Sequence, residues 1–266
     1  MGPFVVFGHG VGEGEVDVGL RGRGGRGFTL IELLVVISII AVLMSILVPA
    51  MGMAKQQVHT LICRSRVRQW GLAFRFYTDD NKGLFPDECS VEDGYVTKMV
   101  EYIKDETLRF CPMATKTMPE GGRQPFAAWE EGGFVGSYGL NDWVLSGWGS
   151  ISDQHESWLW KTPNVKKAAY VPLILDCSII TYVNPRFENE PPAYESDTIY
   201  QTGVAGGELK RFCVNRHRER TNGVFLDFSV RPVGLKELWQ IRWHRNWPTD
   251  GQTPVWPEWM EHMKEY

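Results

Sequence analysis

Much is missing from this sequence, and each absence removes a class of function. Its five cysteines, Cys63, Cys89, Cys111, Cys177 and Cys213, form no CxxC pair, so spacing gives no sign of a metal site and none is expected. There is no basic excess: 28 Lys and Arg stand against 32 Asp and Glu, for a net charge of −4. A nucleic-acid partner is therefore not expected. No G-x-S-x-G, no H-E-x-x-H, no phosphate loop and no convincing close carboxylate pair is present, so no catalytic residue and no enzyme activity are expected. No internal repeat is visible. The odd cysteine count leaves at least one thiol unpaired within the chain. Outside the cytoplasm one or two disulfides are allowed, with a connectivity that spacing alone cannot give.

Charge is also nearly missing from one long stretch. Residues 28–51, FTLIELLVVISIIAVLMSILVPAM, carry a single ionisable group, Glu32. The run reaches the length of about 20 residues that a helix needs to cross a bilayer core. Arg21, Arg23 and Arg26 precede it; they orient the span with its start on the cytoplasmic side and everything after it exported. The run is too long for the apolar region of a cleaved secretory signal, and no A-x-A site follows at a sensible place. A plain signal anchor explains length and orientation but not Glu32, because a carboxylate near hydrocarbon is costly and usually has a partner. Pro49 lacks a helical N–H and clashes with the preceding turn, so a kink or local unwinding is expected there.

The string GFTLIELLVVISIIAVLMSILVPA closely resembles the N-terminal signature of type IV pilins and of type II secretion pseudopilins. The matching features are the Gly27–Phe28 junction, Glu32 as fifth residue of the cut chain, and the Pro49 interruption. The resemblance implies cleavage after Gly27 by a prepilin peptidase, N-methylation of Phe28, and packing of such helices in a filament core. Glu32 then acquires a partner, the new amine of Phe28 on an adjacent subunit, since pairing relieves two charges that would otherwise sit unpaired near hydrocarbon. The expected division is a leader at 1–27, a membrane or filament-core helix at 28–51, an amphipathic continuation at 52–80 and an extracytoplasmic β-rich domain at 81–266. The leader is long and Gly-rich, and only its last seven residues have the family's character. The resemblance also implies an inner-membrane location with the C-terminal domain outside the cytoplasm. The partners implied are the peptidase, other pilin-like subunits and an inner-membrane assembly platform.

From Met51 to Tyr77 the pattern stays helical. Val58, Leu61/Ile62, Leu72/Ala73 and Phe76 make one stripe, while Cys63, Val67, Trp70, Phe74 and Tyr77 make a second. A face this broad needs a cover, most simply a sheet of the same chain. The helix should stop near Asp79–Gly83. Beyond it the sequence predicts a short helix at about 91–104, strands near 135–145 and 170–176, and a long surface loop over 184–208. The fold class expected is α+β: a long helix laid against an antiparallel sheet. Residues 60–87 also resemble, more loosely, a segment of bacterial pilin-like proteins such as those of planctomycetes, and Arg109–Pro112 resembles a Cys-Pro turn of the same group. A disulfide between Cys63 and Cys111 is allowed. Calcium, bound by some pseudopilins, is allowed at Asp79, Asp80 and Asn81 or in the acidic stretch 188–197, but neither has a full EF-hand spacing and no cofactor is predicted.

Residues 211–231 read as a β-hairpin turning at Asn222-Gly223. Placing Phe212, Val214, Val224, Leu226, Phe228 and Val230 on one face requires a three-residue loop, Thr221–Gly223, and sets His217 opposite Asp227. That spacing partly resembles an H-x9-D-G element of pilin-like proteins, with Phe228 in place of the glycine. A cross-strand ion pair is the plain reading; a metal-ligand pair or acid–base couple that Asp176, His155 and Asp142 could join is the sharper one. The tail carries Trp239, Trp243, Trp247, Trp256 and Trp259, with Arg242, His244 and Arg245 beside them for cation–π contacts. LKELWQIRWHRNW resembles the ending of the same planctomycete proteins. The rings either wrap a sheet edge or form a contact surface for subunits or sugars. Three functions follow: a pilin-like structural subunit, an exported enzyme or carbohydrate-binding domain on a borrowed pilin-type anchor, or a membrane-anchored protein that never polymerises.

Overall fold

The computed structural model describes residues 28–88, 94–147, 153–179, 185, 190–197, 208–248 and 254–265. Gly27 with the rest of the leader, Cys89, and most of the loop expected over 184–208 lie outside the described residues. The chain divides into two compact units, residues 1–50 and 51–266. Helix α1 (Leu30–Asp80) contributes to both.

In the first unit α1 is apolar on every side, and its large side chains from Leu30 to Val48 are exposed. A helix apolar all round belongs in an apolar surrounding. Among the described residues it is the one helix long and apolar enough to cross a membrane, with a mean hydropathy of 3.0 over its most apolar window. Its two serines hide their polarity: the Ser38 and Ser45 hydroxyls donate to the Val35 and Val42 carbonyls at 2.7 Å. The helix continues through Pro49, so the local unwinding expected there is not found. A proline removes only one intrahelical bond, and the turns on either side hold the helical path.

In the second unit only one of the two apolar stripes on α1 is covered. Cys63, Val67, Trp70, Ala73 and Phe74 are buried, whereas Val58, Leu61, Ile62, Leu72 and Phe76 remain exposed. Gly71 explains how closely the helix lies on the sheet: a Cβ there would stand 2.7 Å from Val224 Cγ2. The helix ends as expected, with Gly83 N–H donating to the Thr78 carbonyl and with left-handed backbone at Lys82 and Gly83.

The covering sheet has four antiparallel strands in sequence order: β4 (Tyr138–Leu140), β5 (Pro172–Asp176), β6 (Arg220–Phe225) and β7 (Val230–Gly234). A smaller sheet holds β1 (Lys116–Thr117), β2 (Ala127–Glu131) and β3 (Phe134–Gly136); its β1–β2 pairing is parallel and was not anticipated. Short helices α2 (Tyr95–Val100), α3 (Glu208–Phe212) and α4 (Glu258–Glu261) complete the unit. The architecture is α+β and pilin-like, with a long N-terminal apolar helix and antiparallel-rich sheets. The tail closes over the core. Trp239, Trp243 and Trp247 are buried, Trp243 stacks on Phe212 at 4.8 Å, and its carbonyl accepts from Asn141 Nδ2 and Trp160 Nε1. The cation–π contacts of Arg242 and Arg245 form, but over Trp160, at 5.1 and 5.8 Å.

The hairpin differs from the one expected. Asn222 and Gly223 are not a turn but the middle of β6, paired with Pro232 and Arg231. The turn lies at Leu226–Phe228, bracketed by Val224↔Val230. Its length is the three residues expected, displaced along the chain. Asp227 organises it, accepting from the Ser229 N–H and hydroxyl, while Phe228 takes a left-handed φ of 62°. Residues 211–219 consequently form no strand; they hold the end of α3 and a turn in which Arg218 and Glu219 are left-handed. Glycine at 223 serves close packing instead of chain reversal: a Cβ there would meet Leu175 Cγ at 2.8 Å. Gly223→Ala should therefore cost about 1–3 kcal/mol by overpacking, read as a lower urea midpoint for the detergent-solubilised chain. An unchanged midpoint would mean that β5 and β6 are not packed this closely.

Candidate functional site

Four buried side chains from four separate segments converge beneath the sheet. Cys63 comes from the covered stripe of α1, Cys111 from the turn after a 3-10 helix at Glu106–Arg109, Asp176 from the end of β5, and His217 from the turn before β6. One ligand-type atom of each lies within 4.8 Å of those of the others. Cys63, Cys111 and Asp176 are wholly buried and His217 is 4 % exposed.

Asp176 is the hub. His217 Nε2 is 3.3 Å from its Oδ2, and Arg216 Nη1 is 3.7 Å from its Oδ1. The Asn222 N–H donates to Oδ2 at 2.9 Å, the Thr221 hydroxyl lies 3.4 Å from the same oxygen, and the Cys63 thiol faces both oxygens at 3.6 Å. Burial pushes the Asp176 carboxyl up, but His217, Arg216 and the Asn222 N–H outweigh it and hold the group below the usual carboxylate range. Burial likewise pulls His217 down, and the Asp176 charge and hydrogen bond, with Cys111, reverse this and raise the imidazole to about 9. The Asn-Gly pair thus has a second job besides packing, since the extended backbone at 222 aims an amide at the carboxylate.

The outer groups are fixed as firmly. Arg216 is fully buried and donates to the carbonyls of Pro125, Ser137, Ala127 and Cys177. His217 Nδ1 is 3.1 Å from Thr60 Oγ1, and that hydroxyl donates to the Gln56 carbonyl, so its oxygen is left to accept from Nδ1–H. Cys111 Sγ lies 3.3 Å from His217 Nε2, and the Cys111 N–H donates to the Ser137 hydroxyl. Burial pushes the Cys111 thiol up, but Cys63 and His217 bring it down to about 7. Burial drives the Cys63 thiol well up. The Tyr138 hydroxyl closes one side, 3.4 Å from Cys63 Sγ and 3.2 Å from the Phe110 carbonyl.

Set against the sequence, the partner of His217 changes. The structure joins it to Asp176, not to Asp227, which is exposed in the β6–β7 turn. The expected pairing failed because the hairpin turns elsewhere. Cys63 and Cys111 do come together, as free thiols. His155 goes to a ring cluster with Trp143, Trp158 and His244, away from His217. Asp142 is buried in a 3-10 turn after β4 and does not join Asp176. Of the calcium candidates, Asp80 accepts from the Tyr102 hydroxyl, and Asn81 Nδ2 donates to the Tyr77 carbonyl. Spacing did not assemble the cluster because its four members lie far apart in sequence; it offered them only as two separate sets, Cys63 with Cys111 and His217 with Asp176 among its possible additions.

At the other end of the chain, Phe28, Thr29 and Glu32 form a helix start. Glu32 Oε2 accepts from the Thr29 N–H at 2.8 Å and from its hydroxyl at 2.7 Å, while the Glu32 N–H reaches Thr29 Oγ1 at 3.3 Å. This is a reciprocal capping box. Residues 23–48 match a family model described as the prokaryotic N-terminal methylation motif. The motif is consistent with a type IV pilin-like signature and with a substrate of prepilin peptidase. It and the apolar helix fit a membrane-anchored protein. No curated protein and no solved structure matches the chain.

Two substitutions separate the hub from the turn. Asp176→Asn strips a charge from a buried ion pair and should destabilise the chain by about 3–5 kcal/mol. Asp227→Asn keeps the turn bonds at an exposed position and should stay within about 0.5 kcal/mol. Urea unfolding of both variants checks the order; the reverse order would restore the cross-strand pair.

Proposed function

We propose that this chain is a pilin-like structural subunit, a pseudopilin of a type II secretion or type IV pilus-like assembly. It is trimmed between Gly27 and Phe28, methylated on the new amino end, anchored in the cytoplasmic membrane with its C-terminal domain outside, and polymerised through its helix. The observation that carries the reading is the methylation motif at 23–48 on a helix that exposes apolar side chains all round and bears one carboxylate. The part of α1 from Leu30 to Ala50 rises about 30 Å, the thickness of a bilayer core. In a filament the same surface is covered by copies of itself. The uncovered stripe Val58, Leu61, Leu72 and Phe76 in the second unit offers further apolar area to neighbours.

A structural role also agrees with the buried cluster. Asp176 and His217 are sealed from solvent, and a catalytic pair must touch its substrate. That favours a subunit over an enzyme on a borrowed anchor. Glu32 supplies the register: both of its cap bonds use Oε2, which leaves Oε1 for the amine of an adjacent Phe28.

Mass spectrometry of the chain co-expressed with a prepilin peptidase should find an N-terminal peptide that begins at Phe28 and is one methyl group heavier than the unmodified sequence. An intact peptide spanning 26–29 would refute the processing. For assembly, Glu32→Gln keeps a capping side chain and removes the charge. Crosslinks between mature subunits should fall at least about tenfold, the loss of a charge pair near hydrocarbon, while cleavage persists. Undiminished crosslinking means that the carboxylate does not set the register.

A further inference from the structure

The cluster around Asp176 has a geometry that neither an ion pair nor a packed core requires. We propose that Cys63 Sγ, Cys111 Sγ, His217 Nε2 and one Asp176 carboxylate oxygen form a closed tetrahedral site for a divalent zinc-class cation, which staples four segments of the second unit together.

Geometry is the first argument. Three of the six edges are 3.3 Å for His217 Nε2–Asp176 Oδ2, 3.3 Å for Cys111–His217 and 3.6 Å for Cys63–Asp176 Oδ2. A tetrahedron with metal–sulfur bonds of about 2.3 Å and metal–nitrogen or –oxygen bonds of about 2.0 Å has edges of about 3.3 Å between nitrogen and oxygen and about 3.5 Å between sulfur and either. These three edges match those lengths, and all four atoms lie within 4.8 Å of one another.

Orientation is the second. Thr60 commits its hydroxyl hydrogen to the Gln56 carbonyl, so its oxygen faces His217 Nδ1 as an acceptor. A proton held on Nδ1 turns the Nε2 lone pair toward the two sulfurs and the carboxylate. This is the outer-shell bond that metal-bound histidines characteristically make. Asp176 is braced by the Asn222 N–H and by Arg216, and Cys111 by Ser137.

Charge is the third. Two thiolates and a carboxylate exceed a divalent cation by one negative charge, and the fully buried Arg216 guanidinium cancels it. The ion takes both sulfurs as thiolates, the imidazole as a neutral ring and the carboxylate ionised, with any displaced proton passing to solvent; no redox partner is involved. Two sulfurs and an imidazole select zinc over calcium or magnesium. With four protein ligands and no exposed face, the site is structural.

The test uses the full chain in detergent, reduced and stripped of metal, then given zinc chloride or cobalt(II) chloride and passed through metal-free buffer. One zinc per chain should be retained, and cobalt should give the intense visible bands of a tetrahedral thiolate complex. Cys111→Ser and His217→Gln should retain less than a tenth as much zinc, and Cys213→Ser, a buried cysteine outside the cluster, as much as the unaltered chain. His217→Cys should retain cobalt with a stronger sulfur charge-transfer band. Thr60→Val should weaken zinc binding by about 10–100-fold. If the ligand variants do not fold, the cobalt spectrum of the unaltered chain decides, because it reports coordination number and sulfur ligation. The proposal is overturned by a folded, fully reduced chain that retains no zinc. An octahedral cobalt spectrum, or a Cys63–Cys111 disulfide in chain isolated from the exported compartment without reductant, overturns it equally.

Discussion

The second unit depends on one buried negative charge. A carboxylate taken out of water is tolerated only with its charge and its lone pairs answered, and Asp176 is answered by three segments at once. The Asn222 amide reaches it from β6, Arg216 and His217 from the turn before that strand, and the Cys63 thiol from α1. These demands specify the fold as much as they stabilise it. Sliding β6 by one residue would replace the amide at Asn222 and move Gly223 from the place where Leu175 leaves no room for a Cβ. The left-handed backbone at Arg218 and Glu219 follows from the same demand, since the chain must deliver two consecutive side chains inward and then enter a strand immediately.

Arg216 extends that influence beyond the cluster. Its guanidinium bonds the carbonyls of Pro125, Ala127, Ser137 and Cys177. It therefore gathers the start of β2, the link between β3 and β4, and the end of β5 around one cation. A planar fork with five donors can satisfy carbonyls in several directions while facing a carboxylate; an ammonium could not. The small sheet and the large one are joined through these bonds.

What the sequence made legible follows from how local each signal is. The helix over 30–80, its end near Gly83, the short helix before 101 and the strand ending at Asp176 were readable, because periodicity, stop residues and apolar runs are local facts. The N-terminal motif was readable for the same reason. The hairpin was misplaced because Asn-Gly is a strong turn signal that tertiary demands overrode: an extended Asn222 serves a carboxylate and Gly223 makes way for Leu175. The real turn needs left-handed backbone at Phe228, and a phenylalanine gives no local sign of it. Alternation alone could not choose between two three-residue loops of the same parity. Asp176 was legible only as one of three residues that could join His217, because their association is a product of sheet order, and the parallel β1–β2 pairing escaped because two-residue strands carry no period.

Glu32 caps its own helix in a way that leaves room for the second role proposed for it. In the isolated subunit it closes the first turn of α1, answering the Thr29 N–H and hydroxyl and placing a negative charge at the helix end that favours one. An ionised carboxylate has about four acceptor positions, and the cap uses one oxygen. A neighbouring amine can dock on the other without the cap opening, so assembly need not first unmake the helix start. The Thr29 hydroxyl has a part in this economy. It ties the carboxylate to its own helix at a defined height and fixes where an incoming positive charge finds its minimum. A longer or uncapped acid would answer the same charge over a range of axial positions. In the assembly proposed above, the register of one subunit on the next would be a property of the Thr-x-x-Glu spacing, and the rest of the span could vary in sequence so long as it stayed apolar.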